Sequence, residues 1–238
     1  MYQNDGKKDT AIIVAGGKGN RMGTELPKQY LELNGKPVVA YSLDAFEKSF
    51  IDEVILVTAE EFLDYCKEEI VNRYGYRKVK HIVAGGRERY DSVENGLAAA
   101  EGSDYVYIHD AARPYLPQNM LVRLAEGVRK YGAVTAAMPS KDTIKEADEN
   151  GISLRALDRS RLWNVQTPQV FSYELIAEAF RKMKADSTEG VTDDTVVVEK
   201  YMQHPVKMIE GSYSNYKITT PDDMIIMQAL LGEKFPNA

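Results

Sequence analysis

Short apolar runs alternate along this chain with longer segments of helical periodicity. Ala11–Val14, Glu53–Thr58 (EVILVT), Val79–Val83, Tyr105–Ile108 (YVYI) and Ala133–Met138 read as strands. Between them, Pro37–Lys48, Glu60–Tyr74, Ser92–Ala100 and Gln118–Tyr131 read as helices; the first has apolar residues at 38, 39, 43 and 46. Several strands are apolar on both faces, which requires helices on both sides of their sheet. Right-handed β-α-β units and a largely parallel sheet follow.

The alternation breaks after Pro139. Lys141–Val165 (KDTIKEADENGISLRALDRSRLWNV) is polar and charged, and Glu149-Asn150-Gly151 marks a hairpin turn. A charged hairpin of this length cannot build its own core. It is expected to lie on a partner subunit, with Leu162 and Trp163 as anchors at its base. Alternation resumes with helices near Tyr173–Lys184 and Asp193–Tyr201, a strand at Val206–Ile209 and a last helix from Pro221. The expected organisation is one domain over residues 1–238 with an arm at about 139–165.

Composition narrows the partners. The 238 residues carry a net charge of −6, with no basic stripe, so nucleic-acid binding is not expected. Cys66 is the one cysteine, which excludes an internal disulfide; its helical setting makes it a packed thiol. The first ten residues are polar, and no run approaches the roughly 18–20 apolar residues of a membrane helix. No membrane association and a cytoplasmic location are expected.

The candidate chemistry begins at Ala11–Leu31, AIIVAGGKGNRMGTELPKQYL. An apolar run opens into glycines at 16, 17, 19 and 23, interleaved with Lys18, Arg21 and Lys28. Glycines let backbone N–H groups approach phosphate oxygens without a Cβ in the way, and the cations supply charge for a polyanion. Pro27 constrains the chain just before Lys28. Together these features describe a triphosphate-handling loop. A Walker-type GxxxxGK[ST] string is absent, and the dinucleotide pattern G-x-G-x-x-G fails because Met22 stands where its third glycine belongs.

Ligands of open parallel sheets bind beyond the carboxyl ends of the strands. Gly16–Arg21, Ala84–Ser92 (AGGRERYDS) and His109–Pro114 (HDAARP) all fall there. Asp110, directly after a strand and near the glycine loop, is a candidate Mg²⁺ ligand; capping the following turn is the alternative. Lys217, at the end of a strand-like run in SNYKITTPDD, is placed to reach the same pocket. His81 and His204 lack metal-ligand spacing.

With these motifs in order, the chain resembles the 2-C-methyl-D-erythritol 4-phosphate cytidylyltransferases of the non-mevalonate isoprenoid pathway. The matching segments are AGGKGNRMG…PKQYLELNGKPV, GGRERYDSVENGL, YIHDAARP, MPSKDTIK, LDRSRLWNVQTPQVF, TDD and EGSYSNYKITTPDD, running from residue 11 to about 231. The related ribitol-5-phosphate cytidylyltransferases share AGG, PKQ and KITT; HDAARP, SVENGL and DTIK favour methylerythritol phosphate.

The resemblance implies an α/β, Rossmann-like, largely parallel twisted sheet flanked by helices, with a protruding β-hairpin arm used in homodimerisation. It implies cytidylyl transfer from CTP to the polyol phosphate with Mg²⁺ as cofactor. Arg21 and Lys28 would stabilise charge on the α-phosphate, and Asp110 would hold the metal. Ala15, Gly16, Gly17, Gly19, Gly85, Gly86, Ser92 and Ala111 would bind the nucleotide. Arg113, Thr143, Arg159 and Lys217 would grip the polyol phosphate, Thr143 and Arg159 acting across the dimer. A non-catalytic nucleotide-binding protein and a dinucleotide-dependent reductase are the other classes; pyrophosphate release from CTP and nicotinamide absorbance separate them.

Overall fold

The computed structural model describes residues 5–17 and 26–232. The strands of three or more residues, in chain order, are β1 (Asp9–Ala15), β2 (Glu53–Thr58), β3 (Val79–Ala84), β4 (Tyr105–Asp110), β5 (Ala133–Pro139), β6 (Lys145–Ala147), β7 (Ser153–Ala156), β8 (Trp163–Ser172) and β9 (Lys207–Glu210); Glu32–Leu33 and Lys36–Pro37 form a minimal antiparallel pair of their own. The helices are α1 (Val38–Glu47), a composite α2, α3 (Arg89–Ala99), α4 (Gln118–Tyr131), α5 (Tyr173–Ala185), α6 (Asp194–Met202) and α7 (Pro221–Gly232). α2 runs through a 3₁₀ turn at Glu60–Phe62, a short α turn at Leu63–Tyr65 and a π-helical stretch at Cys66–Asn72.

The main sheet has the order β9-β5-β8-β4-β1-β2-β3. β1 is parallel to β2 and β4, β2 to β3, and β9 to β5. Only β8 runs against its neighbours, β4 and β5. Side-chain alternation along the buried strands divides the core in two. Ala11, Ile13 and Leu56 face α1, α2 and α4, meeting Leu43, Phe46, Ile70, Leu121 and Leu124. Ile12, Ile55 and Val57 face α3, α5 and α6, meeting Val93, Ile176, Phe180 and Val197. Cys66 is fully buried in the first of these cores, as a packed thiol should be.

Three expectations need correction. β8 was not anticipated; WNVQTPQVFS contains a proline and alternates poorly, and its register with β5 slips between Val165 and Gln169 to accommodate Pro168. Trp163 does not anchor the arm by burial: its backbone pairs with Pro139, but the residue stays 40% exposed. Lys217 lies in the irregular segment between β9 and α7, not on a strand; Ile218 N–H ties that segment to the Ala112 carbonyl at 2.8 Å.

The arm strands β6 and β7 form a separate antiparallel pair in which every residue is exposed. Ser140 N–H donates to the Leu162 carbonyl at 2.9 Å, closing the excursion at its base.

α3 lies close to the sheet because of Gly96. A Cβ there would sit 2.5 Å from Ile12 Cγ2 and 3.1 Å from Val57 Cγ2. Gly96→Ala is expected to destabilise the protein by about 1–3 kcal/mol through overpacking, despite alanine's better helix propensity. Urea unfolding measures this; a variant as stable as the parent would mean that α3 lifts off the sheet without penalty.

Candidate active site

The carboxyl ends of β1, β3 and β4 converge on a cleft of about 470 Å³. Ala15, Gly16 and Gly17 form one wall, Gly85, Gly86 and Ser92 another, and Lys28, Asp110, Ala111 and Lys217 complete it. The second glycine segment is held tightly. Gly85 N–H donates to the Thr58 carbonyl at 2.6 Å, and Gly86 N–H to Ser92 Oγ at 3.1 Å. Glu88 and Asp91 cap α3 reciprocally, which fixes where that helix begins. A Cβ on Gly86 would meet Asp91 Cβ at 2.2 Å, so this turn admits only glycine.

Charge concentrates around Asp110, at the end of β4. Its Oδ1 accepts from Arg89 Nε at 3.1 Å, and its Oδ2 from Lys217 Nζ at 2.6 Å. Arg89 also makes a bidentate pair with Asp194, at 2.9 and 2.8 Å. Burial alone would raise the Asp110 carboxyl. The nearby charges of Arg89, Lys217 and Arg113 outweigh it and hold the group well below the usual carboxylate range. Burial likewise opposes the Arg89 charge, but its two carboxylates raise the pKa instead. Asp194 is positioned from β8: its N–H donates to Gln169 Oε1 at 3.0 Å, and Gln169 Nε2 donates to Asp193 at 2.9 Å.

A second cavity of about 120 Å³ adjoins the first. Arg89, Asp110 and Lys217 line both, and Arg113, Gln166 and Thr167 are added on the far side. Arg113 donates from Nη1 to the Asn215 carbonyl at 2.7 Å, and its buried Nε has no hydrogen-bond partner among the described residues. A buried guanidinium with an unused donor beside a small cavity favours an anion there. Behind Asp110, His109 is completely buried. Its Nε2 donates to the Arg113 carbonyl at 3.1 Å; Nδ1 therefore accepts from the Thr167 hydroxyl at 3.0 Å. Thr167 Oγ1 in turn accepts the Asp110 N–H at 3.1 Å.

The sequence profile of the 2-C-methyl-D-erythritol 4-phosphate cytidylyltransferases matches residues 10–233. The chain belongs to this family. A cytidylyltransferase of that name from Lachnospira eligens is 49% identical, over 92% of this chain and 96% of its own. One from Clostridium botulinum is 46% identical, over 94% of this chain and 99% of its own. The crystal structure of a 4-diphosphocytidyl-2C-methyl-D-erythritol synthase from Anaerococcus prevotii superposes with a TM-score of 0.85 at 35% identity, covering 96% of this chain and 98% of that one. The Thermus thermophilus cytidylyltransferase gives a TM-score of 0.77 at 26% identity, covering 95% and 100%.

The cytidylyltransferase fold gathers most residues expected at the site. Ala15, Gly16, Gly17, Lys28, Gly85, Gly86, Ser92, Asp110, Ala111 and Lys217 share the larger cleft, and Arg113 lines the smaller cavity. Arg21 and Gly19 lie outside the described residues. Thr143 and Arg159 stand on the exposed arm and line neither cavity of their own chain; Arg159 Nη1 donates to the Lys141 carbonyl at 2.8 Å. Sequence reasoning missed Arg89, Asp194, His109 and Thr167. The second arginine of GGRERYDS and the paired acids of TDD were visible signals, but nothing local joins them.

Burial pushes the His109 pKa down to about 4. The unfolded value is about 6.5, so between these limits the folded state binds fewer protons. The stability His109 contributes is complete above about pH 6.5 and lost as pH falls toward 4, about 3 kcal/mol in all. Unfolding free energy should therefore fall more steeply from pH 7 to 4 in the parent than in His109→Gln. Parallel slopes would mean that His109 carries charge in the fold.

Proposed function

We infer that this chain transfers the cytidylyl group of CTP to 2-C-methyl-D-erythritol 4-phosphate, releasing pyrophosphate, with CTP in the larger cleft and the polyol phosphate in the smaller cavity. One observation carries this assignment of sites: two adjoining cavities share Arg89, Asp110 and Lys217, so two anions can approach each other across a single charge cluster. A glycine-lined wall on one side and the unused Nε donor of Arg113 on the other suit a triphosphate and a monophosphate respectively.

The nucleophile is a phosphate monoester, whose second pKa is about 6, so it arrives largely ionised and needs no side-chain base. An oxygen of that phosphate bonds to the α-phosphorus of CTP as the bond to the β-phosphate oxygen breaks. The obstacle is repulsion between anions, and this chain answers it by positioning and neutralisation. Lys28 and Arg21 are the residues for charge on the α-phosphate. Lys217 and Arg113 hold the attacking phosphate from the other side.

Mg²⁺ fits as a partner of the nucleotide. It is commonly held by one or two carboxylates with phosphates and waters completing the shell. Asp110 supplies one carboxylate, and no group of three candidate ligands occurs among the described residues. Asp110 would hold the ion together with triphosphate oxygens, and the ion would neutralise phosphate charge. Thr143 and Arg159 are assigned to the partner's pocket. The arm supports this: Ile152 and Leu154 are 64% and 60% exposed on it, left uncovered by the described residues of their own chain.

Pyrophosphate release from CTP and Mg²⁺, compared between methylerythritol phosphate and ribitol 5-phosphate, tests the activity; preference for ribitol 5-phosphate overturns the substrate assignment. Lys28→Ala should lower kcat by roughly 10²–10³, more than it weakens CTP binding. Near-normal turnover would remove Lys28 from the chemistry. Asp110→Asn should abolish most metal-dependent turnover and leave the chain folded.

Arg159→Ala should raise KM for the polyol phosphate and leave KM for CTP nearly unchanged. Co-expressed with Lys28→Ala, it should restore activity above either parent, because some heterodimers then hold one intact composite site. Proven heterodimers without any gain would place the arm on its own subunit.

A further inference from the structure

We propose that Gln29 is a positioning residue that sets Gly16, Gly17 and Lys28 as one unit against the triphosphate. It rests on the larger cleft being the CTP site.

Gln29 sits in the 3₁₀ turn Lys28–Tyr30, immediately after Pro27, and is almost completely buried at the edge of the cleft. Its Nε2 carries two hydrogens and donates to the carbonyls of both Ala15 and Gly17, the latter at 3.0 Å. Those two carbonyls bracket Gly16 and Gly17. A single side chain thus holds the two ends of the Gly16-Gly17 dipeptide, whose backbone lines the cleft, while its chain neighbour Lys28 lines the same cleft. The next residue, Tyr30, completes the arrangement. Its hydroxyl bonds to Thr58 Oγ1 and accepts from Cys66 Sγ at 3.4 Å, and the Thr58 carbonyl receives the Gly85 N–H. One short turn therefore holds both glycine walls and the lysine between them.

This matters because glycine loops have the widest backbone freedom, so their N–H groups point in a fixed direction only when something outside the loop holds them. Catalysis by positioning loses rate steeply on small misplacement. Gln29 meets this need with donors aimed at loop carbonyls, and acts on substrate through the loop and Lys28.

Two substitutions of similar length separate the role from simple packing. Gln29→Met removes both donors; Gln29→Glu removes them and opposes a carboxylate to two carbonyls. Each should lower kcat about 10–100-fold at saturating CTP and methylerythritol phosphate, with KM for the polyol phosphate within about twofold of the parent. Amide exchange at Gly16 and Gly17 should quicken while α4 stays protected. For Gln29→Glu, protonating the buried carboxyl returns one donor, so its deficit relative to the parent should narrow from about pH 8 to pH 6. The Gln29→Met deficit should stay flat.

Parental kcat in both variants, unchanged exchange at the loop, or the same pH profile for both would overturn the proposal. Should Gln29→Met fail to fold, the Gln29→Glu profile decides alone. The parent is assayed alongside: no pyrophosphate release from it sinks the functional reading, whereas an active parent with unimpaired variants sinks only the role of Gln29.

Discussion

Arg89 stands between two carboxylates that the chain delivers from distant places, and the rest of the site is arranged around that contact. It opens α3, Asp194 opens α6, and Asp110 closes β4. Removing such groups from water is costly, and the attraction between them compensates only if every member keeps its partners. Here Arg89 and Lys217 pair directly with Asp110 and Asp194, two charges of each sign, and Arg113 acts on Asp110 from nearby. A triphosphate entering the cleft upsets that balance. The cations answering it must come from beside the cluster, where Lys28 lines the cleft, or arrive with the nucleotide.

Asp110 is restrained from behind as well as in front. The His109 ring spans from the Arg113 carbonyl to the Thr167 hydroxyl, and that hydroxyl takes the Asp110 N–H. Thr167 reaches this position only because β8 runs antiparallel beside β4. The one reversed strand of the sheet therefore brings a hydroxyl to the edge where its parallel neighbours end. It also carries Gln169, which steadies the start of α6.

Much of this was legible in the sequence, for an identifiable reason. β2 and α4 start and end where periodicity places them, because each buries a regular apolar face. The glycine segments and Asp110 were legible because the parallel sheet puts every strand's end on one edge. β8 was not, since Gln166, Pro168 and Gln169 break its apolar pattern and their partners lie in other elements. Arg89 was hidden in a segment already assigned to glycine chemistry. Its significance depends on an aspartate 105 positions away. Lys217 was found for the right pocket on the wrong backbone: SNYKITT has strand-like residues, yet Asn215 and Ile218 are consumed by contacts to Arg113 and Ala112.

The closure at Ser140 and Leu162 has a consequence for how such a protein can diversify. β5 leaves the sheet and β8 returns to it at the same point, so the arm between them is an insertion whose two ends are already joined. Its length and surface can drift without shifting any strand in the core, since no core residue depends on it. The topology also puts this freedom at the carboxyl edge of the sheet, the edge onto which the larger cleft opens. The arm's length can therefore change while the glycine-lined wall, built from buried strands and crowded glycines, stays as it is. Freedom and constraint are assigned to different parts of one chain by where a single strand turns back.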